Sequence, residues 1–319
     1  PEVLRTNLAS VILQMETLRL GTPQDFPFID PPDTRQINDG YRLLQELEAV
    51  DDDREVTPLG RQLARLPVDP RLGRMLVEAK RRAALREVLV LAAVLSMQDP
   101  RERPQDAQAA ADAKHAQFAD PDSDFVTLLK VWGAYQEERA ARSRSALRRW
   151  CRDQFLSAVR MREWEELHSQ LGTIAAEMDW APNTQNASYE ALHRSLLAGL
   201  LGNIGLKAEP GRGAPGTEGK TRDRPEKGVY DGARGMRFLI APGTPVRNRG
   251  PRWVVAGSIV ETQRIYARLV AGVDPAWIEQ AAHHLVKRSH GDPQWDENRG
   301  QASVAETVAL YGLLLSAGR

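Results

Sequence analysis

Apolar residues at helical spacing predict two short helices within residues 57–82. Thr57 precedes Pro58, and Asp69 precedes Pro70. Each pair offers a capping oxygen and a proline at the first helical position, where the missing N–H would be unpaired in any case. A proline between the two helices ends the first of them. The apolar positions are Leu59, Leu63, Leu66, Leu72, Leu76 and Ala79.

The residues before this segment predict a small module of three helices. Residues 3–19 carry apolar side chains on one helical face, and Thr34 begins a second helix. Residues 51–53 form an acidic turn, followed by a short strand at residues 55–56. Three short helices with a small hairpin are typical of a winged-helix module. A plain three-helix cap without a nucleic-acid role is the alternative. The inward positions of the second helix are Ile37, Tyr41, Leu44 and Leu47.

Residues 70–180 have helical periodicity throughout. Residues 85–95 are apolar on nearly every side, which predicts a central buried helix. In residues 139–162, Leu147, Trp150, Cys151, Phe155 and Val159 form the predicted inner stripe. Arginines occupy the other faces, and two interpretations stay open: a solvated surface, or a ridge that contacts phosphates through bidentate hydrogen bonds. The candidate arginines are Arg142, Arg148, Arg149 and Arg152. We predict that Phe125, Leu128, Leu129, Trp132 and Tyr135 are buried.

The periodicity changes from helix to strand after Gly202. Five short strand-like runs, punctuated by Gly and Pro, predict a small barrel of the OB type. Residues 208–228 have almost no apolar side chains, so we expect a mobile excursion between two strands. Residues 304–315 are strand-prone and indicate the start of a further region. The predicted strands span residues 203–207, 228–232, 236–241, 253–261 and 264–270.

Composition is ordinary for a globular chain, but the charge is unevenly distributed. The 319 residues are 42% apolar with no net charge and one cysteine, which excludes an intrachain disulfide framework. Residues 1–60 carry 5 basic against 12 acidic residues, a balance of −7. Residues 139–162 carry 8 against 1, and residues 201–270 carry 13 against 6, a balance of +7 each. A polyanion would therefore be attracted to the later surfaces.

The single cysteine and the first residues indicate a cytosolic segment of a longer protein. No apolar run approaches the ~18 residues of a membrane span, and the first ten residues, PEVLRTNLAS, do not have the pattern of a signal peptide. They are typical of sequence from the interior of a protein. We expect a cytoplasmic location, no membrane association and a monomer.

No arrangement of residues predicts catalysis. Residues 214–221 match a relaxed phosphate-loop pattern ending in Lys220 and Thr221, but neither a buried strand nor a helix flanks them. His283 and His284 are adjacent, which suits a single metal ion poorly, and one cysteine cannot build a zinc cluster. We expect no catalytic residue, bound cofactor or metal in this chain.

The predicted barrel offers a binding signal instead. Basic and aromatic residues alternate along it, and three arginines crowd the loop before the fourth strand. Cations follow a sugar–phosphate backbone, and aromatic rings stack on unpaired bases. Tyr230 and Phe238 are equally compatible with core positions. The candidates are Lys207, Lys227, Tyr230, Arg234, Arg237, Phe238, Arg247, Arg249 and Arg252.

Several of these segments together resemble the region that follows the two RecA-like domains in DEAH-box RNA helicases. They include PEVLRTNLASVILQMETLRLG, FIDPPD, TPLGRQLARLPVDPRLGRML and EVLVLAAVLSMQDPRERP. LLAGLLGNIGLK, RFLIAPGTPV and WVVAGSIVETQRIYAR resemble its OB-fold portion, and YEALHRSLLAGLLGNIG is most similar to the bacterial HrpA-type members. The resemblance covers essentially the whole chain.

The resemblance implies an α+β protein of three modules. These are a winged helix (residues 1–68), an all-helical ratchet bundle (69–185) and an OB-type β-barrel (186–290), with a further C-terminal region beginning at 291. It implies that RecA-like domains of the same protein bind ATP and Mg²⁺, while these modules clamp single-stranded RNA during 3′ to 5′ movement. Two departures stand out: the long loop 208–228, and Ala241-Pro242-Gly243-Thr244 where the family has a segment with histidine.

We therefore expect an RNA-clamping accessory half of a helicase that is inactive as an ATPase alone. The hypothesis requires cations and rings of the barrel and the bundle to line one shared groove. A module that docks the ATPase core or another protein, without direct RNA readout, is the alternative. A duplex-DNA regulator is disfavoured because residues 1–60 are acidic.

Overall fold

The computed structural model describes residues 8–24, 26–209, 228–291, 294–296, 301–303 and 306–318. Backbone contacts divide the chain into two compact units. The first unit comprises Pro1–Val88 with Ile174–Gly199, and the second comprises Leu89–Thr173 with Leu200–Arg319. The predicted loop segment 210–227, which contains Lys227 and the phosphate-loop pattern, lies outside the described residues. Of the described helices, none has the length and apolarity needed to cross a membrane.

The first unit begins with the predicted winged-helix elements. Three helices and an isolated bridge between Val50 and Val56 form this part. The second helix begins at Thr34 as predicted; Asp33 caps it, and Gln36 completes a reciprocal capping box. Thr57 caps the third helix as predicted. The helices are α1 (Ala9–Leu18), α2 (Thr34–Glu46) and α3 (Pro58–Ala64).

The rest of this unit packs α4 (Pro70–Arg81) against α10 (Tyr189–Leu200). Asp69 caps α4, which buries Leu72, Met75, Leu76 and Ala79. A Cβ atom on Gly199 would lie only 2.3 Å from the carbonyl oxygen of Arg71. The two helix backbones therefore approach so closely that only glycine fits at this position.

The second unit contains most of a helical bundle. Its central helix is buried along most of its length, as predicted. The predicted stretch 139–162 is wrong as a single element, because it spans parts of three helices. Ser143 caps the second of them, and Phe155, with φ 52°, follows its end. Val159 is 66% exposed instead of buried. The helices are α5 (Leu85–Leu95), α6 (Gln108–His115), α7 (Asp124–Ala141), α8 (Arg144–Asp153) and α9 (Ala158–Glu177).

A closed five-stranded barrel follows and confirms the predicted OB type. The strand order is β1-β2-β3-β5-β4, with β3 and β5 parallel and the other pairs antiparallel. A short helix, α11 (Pro245–Arg249), connects β3 to β4. The core of the barrel is apolar. The strands are β1 (Ile204–Lys207), β2 (Val229–Gly232), β3 (Arg237–Ile240), β4 (Trp253–Glu261) and β5 (Ile265–Gly272).

The C-terminal segment adds one helix and two small sheets. The strand-prone residues 304–315 contain parts of two paired strands, as predicted. The three-stranded sheet has the order β10-β9-β6, and β7 pairs with β8. The elements are α12 (Pro275–Ala281), β6 (Lys287–His290), β7 (Gln294–Asp296), β8 (Gln301–Ser303), β9 (Glu306–Leu310) and β10 (Leu313–Gly318).

Candidate nucleic-acid interface

Four predicted cations lie at one end of the barrel, around the turn that follows α11. Lys207, at the end of β1, donates its Nζ to the carbonyl of Gly250 over 3.0 Å, and its N–H to the carbonyl of Arg252 over 2.8 Å. Arg247 packs over Gly228, where a Cβ atom would be 3.3 Å from its Nε. Arg249 ends α11 and is exposed. We call Lys207, Arg247, Arg249 and Arg252 the basic edge.

The bundle holds the basic edge in place through the loop before α7. Asp122 forms an ion pair with Arg249, with 2.7 Å between Oδ1 and Nε. Asp124 accepts a hydrogen bond from the Thr244 hydroxyl over 2.6 Å, and Thr244 caps α11. A further backbone bridge joins Ser123 to β5. In the sequence, Asp122 and Asp124 look like ordinary capping residues before a helix, so their role between bundle and barrel could not be predicted.

The arginines of α8 form a second basic surface. Arg148, Arg149 and Arg152 are exposed, and none forms an ion pair with a described residue. Arg142, just before α8, is paired with Glu138. The helix packs through its opposite side, where Cys151 is buried.

Backbone contacts connect the end of α8 to the barrel. The N–H of Glu102 donates to the carbonyl of Phe155 over 2.8 Å. Arg103, the next residue, forms a bidentate pair with Asp112 and lies beside Gly243 of the barrel. These contacts connect the residues after α8 to the turn between β3 and α11, and a groove shared by the α8 arginines and the basic edge stays a prediction.

Arg234 and Arg237 lie at the other end of β2 and do not join the basic edge. Arg237 is paired with Asp231 across the β2–β3 ladder, at 2.7 Å. Arg234 has φ 60° and lies over the ring of Tyr311, with its guanidinium carbon 4.6 Å from the ring centroid. Both guanidinium groups are therefore engaged within the protein.

The predicted base-stacking role of Tyr230 and Phe238 is wrong. Both side chains are fully buried in the barrel core, with parallel rings 5.9 Å apart. The Tyr230 hydroxyl donates to the carbonyl of Pro251 over 2.7 Å, and burial raises its pKa to about 12. These two rings stabilise the barrel, and neither reaches a surface where a base could stack.

Asp99, Arg101 and His115 form a half-buried ionic cluster in the bundle. Asp99 and Arg101 form a bidentate pair at 2.7–3.0 Å. Burial alone would raise the pKa of Asp99, but the charge and hydrogen bonds of Arg101 outweigh burial and hold the pKa below its usual range. Burial lowers the pKa of the nearby His115, whose Nε2 is 3.1 Å from the carbonyl of Phe155. The cluster fixes the segment that carries Arg103.

Comparison with known proteins agrees with this architecture. Family models match three successive segments: "Helicase associated domain (HA2), winged-helix" at residues 41–68, "Helicase associated domain (HA2), ratchet-like" at 69–158, and "Oligonucleotide/oligosaccharide-binding (OB)-fold" at 192–285. ATP-dependent RNA helicase HrpA of Escherichia coli is 43% identical over 324 aligned residues that include all of this chain. Over its whole length, the chain is similar to the region of HrpA-type DEAH-box RNA helicases that carries these three domains.

Two further relatives show how far the family similarity extends. The HrpA homolog of Haemophilus influenzae is 42% identical over 326 aligned residues. The pre-mRNA-splicing factor ATP-dependent RNA helicase prp22 of Schizosaccharomyces pombe is 28% identical over 287 residues, which cover 90% of this chain. The chain spans about a quarter of these relatives: 24% of the length of the two HrpA proteins and 23% of prp22.

Proposed function

We propose that this chain binds single-stranded RNA as the clamping accessory part of an ATP-dependent RNA helicase. The observation that carries the proposal is the basic edge on the closed OB barrel. Lys207 donates its Nζ to the carbonyl of Gly250, Arg249 ends α11 beside Asp122, and Asp124 of the bundle accepts a hydrogen bond from Thr244, which caps α11. Cations arranged in this way contact phosphates without reading bases. The RNA helicases among the relatives favour RNA as the strand.

In the whole protein, this chain would hold the strand while RecA-like domains do the mechanical work. Those domains would bind ATP with Mg²⁺ and hydrolyse it, moving along RNA from 3′ to 5′. The exposed arginines of α8 would contact further phosphates beyond the basic edge. The chain itself would hydrolyse no ATP.

Removing two cations of the basic edge is expected to weaken RNA binding and its salt dependence. Replacing Arg247 and Arg252 together by alanine should weaken binding to an oligouridylate about tenfold at low salt. Each lost phosphate contact should reduce the slope of log K against log salt by about 0.7. Fluorescence anisotropy over a salt series measures both quantities.

The matched control removes the same charge from α2. Arg35 and Arg42 are 91% and 71% exposed there, and their double alanine variant should bind RNA like the native chain. Equal losses in the two double variants would mean that only net charge matters, and the basic edge would then not be the RNA surface.

Replacing Asp122 by asparagine is expected to strengthen RNA binding. The Asp122 carboxylate occupies Arg249 in the absence of RNA, and both side chains are exposed, at 44% and 60%. An exposed pair of this kind contributes only about 0–1 kcal/mol, so an RNA phosphate can replace the carboxylate. The asparagine substitution removes the competing carboxylate and leaves the guanidinium of Arg249 available to the phosphate. We expect an affinity gain of about two- to fivefold, measured by anisotropy.

Asp39 supplies the control for this substitution. It is an exposed partner of Arg42 on α2, and Asp39→Asn changes the net charge by the same amount. An affinity gain of the same size in Asp39→Asn, or a loss of affinity in Asp122→Asn, would contradict competition at Arg249.

A further inference from the structure

Three aromatic rings form a row from the interior of the second unit towards its surface. Trp164 is fully buried and donates its indole N–H to the carbonyl of Val90 over 2.8 Å. The ring of Trp132, on α7, lies 4.9 Å from that of Trp164. The ring of His168, on α9, lies 5.0 Å from that of Trp132. Trp132 and His168 are only half-buried, although we predicted Trp132 as a core residue.

The two outer rings carry polar atoms that have no protein partner in the described part of the chain. Neither the Trp132 indole N–H nor a ring nitrogen of His168 makes a hydrogen bond there, and no buried side-chain nitrogen of the described residues lacks a partner. These atoms therefore face solvent. Burial lowers the pKa of His168, so at neutral pH its uncharged ring offers one donor and one acceptor.

The backbone beside these rings is also open. Gly133 follows Trp132 on α7, and Gly172 lies one turn beyond His168 on α9. A Cβ atom on either glycine would meet nothing within 4 Å among the described residues. Glycine is less favourable than alanine inside a helix, and no packing contact in that part of the chain requires it. Neither glycine therefore has a packing role among the described residues.

We propose that Trp132 and His168 form a stacking site for one unpaired base of the RNA strand. A flat, uncharged heterocycle fits the ring faces, and its own donors and acceptors fit the indole N–H and the neutral imidazole. An aromatic side chain of a protein partner would use the ring faces but would leave most of these polar atoms unpaired. The site rests on the proposed function and adds a base contact to the phosphate contacts of the basic edge.

The test compares an oligouridylate of about 16 nucleotides with an abasic oligomer of the same length. Trp132→Ala in the full chain should weaken binding to the oligouridylate about tenfold, as expected for the loss of one base–aromatic stack. Binding to the abasic oligomer and the salt slope should stay unchanged. Trp132→Phe, which keeps a ring, should retain most of the affinity for the oligouridylate.

Trp150→Ala is the matched control. Trp150 is a half-buried bundle tryptophan on α8, 6.5 Å from the ring of Tyr135, and its loss should leave the preference for bases intact. Circular dichroism checks that each variant folds. If Trp132→Ala does not fold, His168→Ala replaces it in the test and should weaken binding to the oligouridylate several-fold, without weakening binding to the abasic oligomer. Equal losses with both oligomers, or no loss with either, would overturn the stacking site. Failure of the native chain to bind even the abasic oligomer would instead contradict phosphate binding by the basic edge.

Discussion

Replacing Glu78 by glutamine is expected to lower the free energy of unfolding by about 3 kcal/mol. Glu78 lies on α4, is 7% exposed and accepts hydrogen bonds from Arg74, Arg81 and Arg82 at 2.6–3.3 Å. Arg74 is also paired with Glu48. Glutamine keeps an acceptor oxygen but lacks the charge, so three guanidinium groups would surround a neutral amide. Removing one partner of a buried ion pair costs about 3–5 kcal/mol because the other charges remain uncompensated.

The control is an ion pair on the surface of the same unit. Asp39, 56% exposed, pairs with Arg42, 71% exposed, on α2. Asp39→Asn should cost less than about 0.5 kcal/mol. Urea unfolding followed by circular dichroism measures both variants. Similar small losses in the two variants would show that the Glu78 cluster contributes no more than a surface pair.

The same carboxylate should make stability depend on pH. Burial alone would raise the pKa of Glu78, but its hydrogen bond to Arg81 and the charges of three arginines outweigh burial and lower the pKa to about 2. In the unfolded chain the pKa is about 4.5. The stabilisation is therefore fully present above pH 4.5 and is lost as pH falls towards 2, a change of about 3 kcal/mol. Glu78→Gln should lack this acid loss.

Elements set by short-range chemistry were predictable from the sequence. The caps Thr57 and Asp69, each followed by proline, act within three residues, and the structure confirms both. Strand β4 has the predicted limits, Trp253–Glu261, because Gly250 and Pro251 precede the apolar run and polar residues follow it. Neither prediction needed information about distant parts of the chain.

Residues 139–162 were not predictable in the same way. Apolar spacing continues through this stretch, so periodicity alone indicates one helix. The breaks depend on the Ser143 cap and on a hydrogen bond from Glu102 to the carbonyl of Phe155, which lies more than fifty residues away in sequence. A periodicity argument cannot include such a contact, and it therefore placed Val159 in the interior.

The candidate interface was also only partly predictable from the sequence. Charge counts located the basic segments, but the sequence could not tell which arginines already have acidic partners. Arg237 meets Asp231 only through the register of β2 and β3, and Arg249 meets Asp122 only through the packing of barrel on bundle. Strand alternation places Tyr230 and its register partner on one face, but it does not tell which face closes inward.

Asp124 is expected to be as important for the second unit as Glu78 is for the first. Its carboxylate is 3% exposed and accepts hydrogen bonds from the Thr244 hydroxyl at 2.6 Å and the Val270 N–H at 2.8 Å. Asp124→Ala would leave both donors without this acceptor, and each orphaned donor costs about 1–3 kcal/mol. We expect a loss of about 3 kcal/mol in urea unfolding, together with weaker RNA binding, because α11 begins directly after Thr244.

Asp124→Asn separates hydrogen bonding from charge. Its amide oxygen can accept from Val270 while its amino group donates to the Thr244 hydroxyl, so we expect a loss below about 1 kcal/mol.

Burial raises the pKa of Asp124 more than its two hydrogen bonds lower it, and the net shift is upward. The folded state therefore binds the proton more tightly than the unfolded state does. The stabilisation from Asp124 is complete below about pH 3.8 and decreases as pH rises through the folded pKa. The pH dependence of stability from Asp124 is therefore opposite in sign to that from Glu78. Asp124→Asn should abolish the loss of stability at higher pH. An equal loss in the asparagine variant would assign the pH dependence to another group.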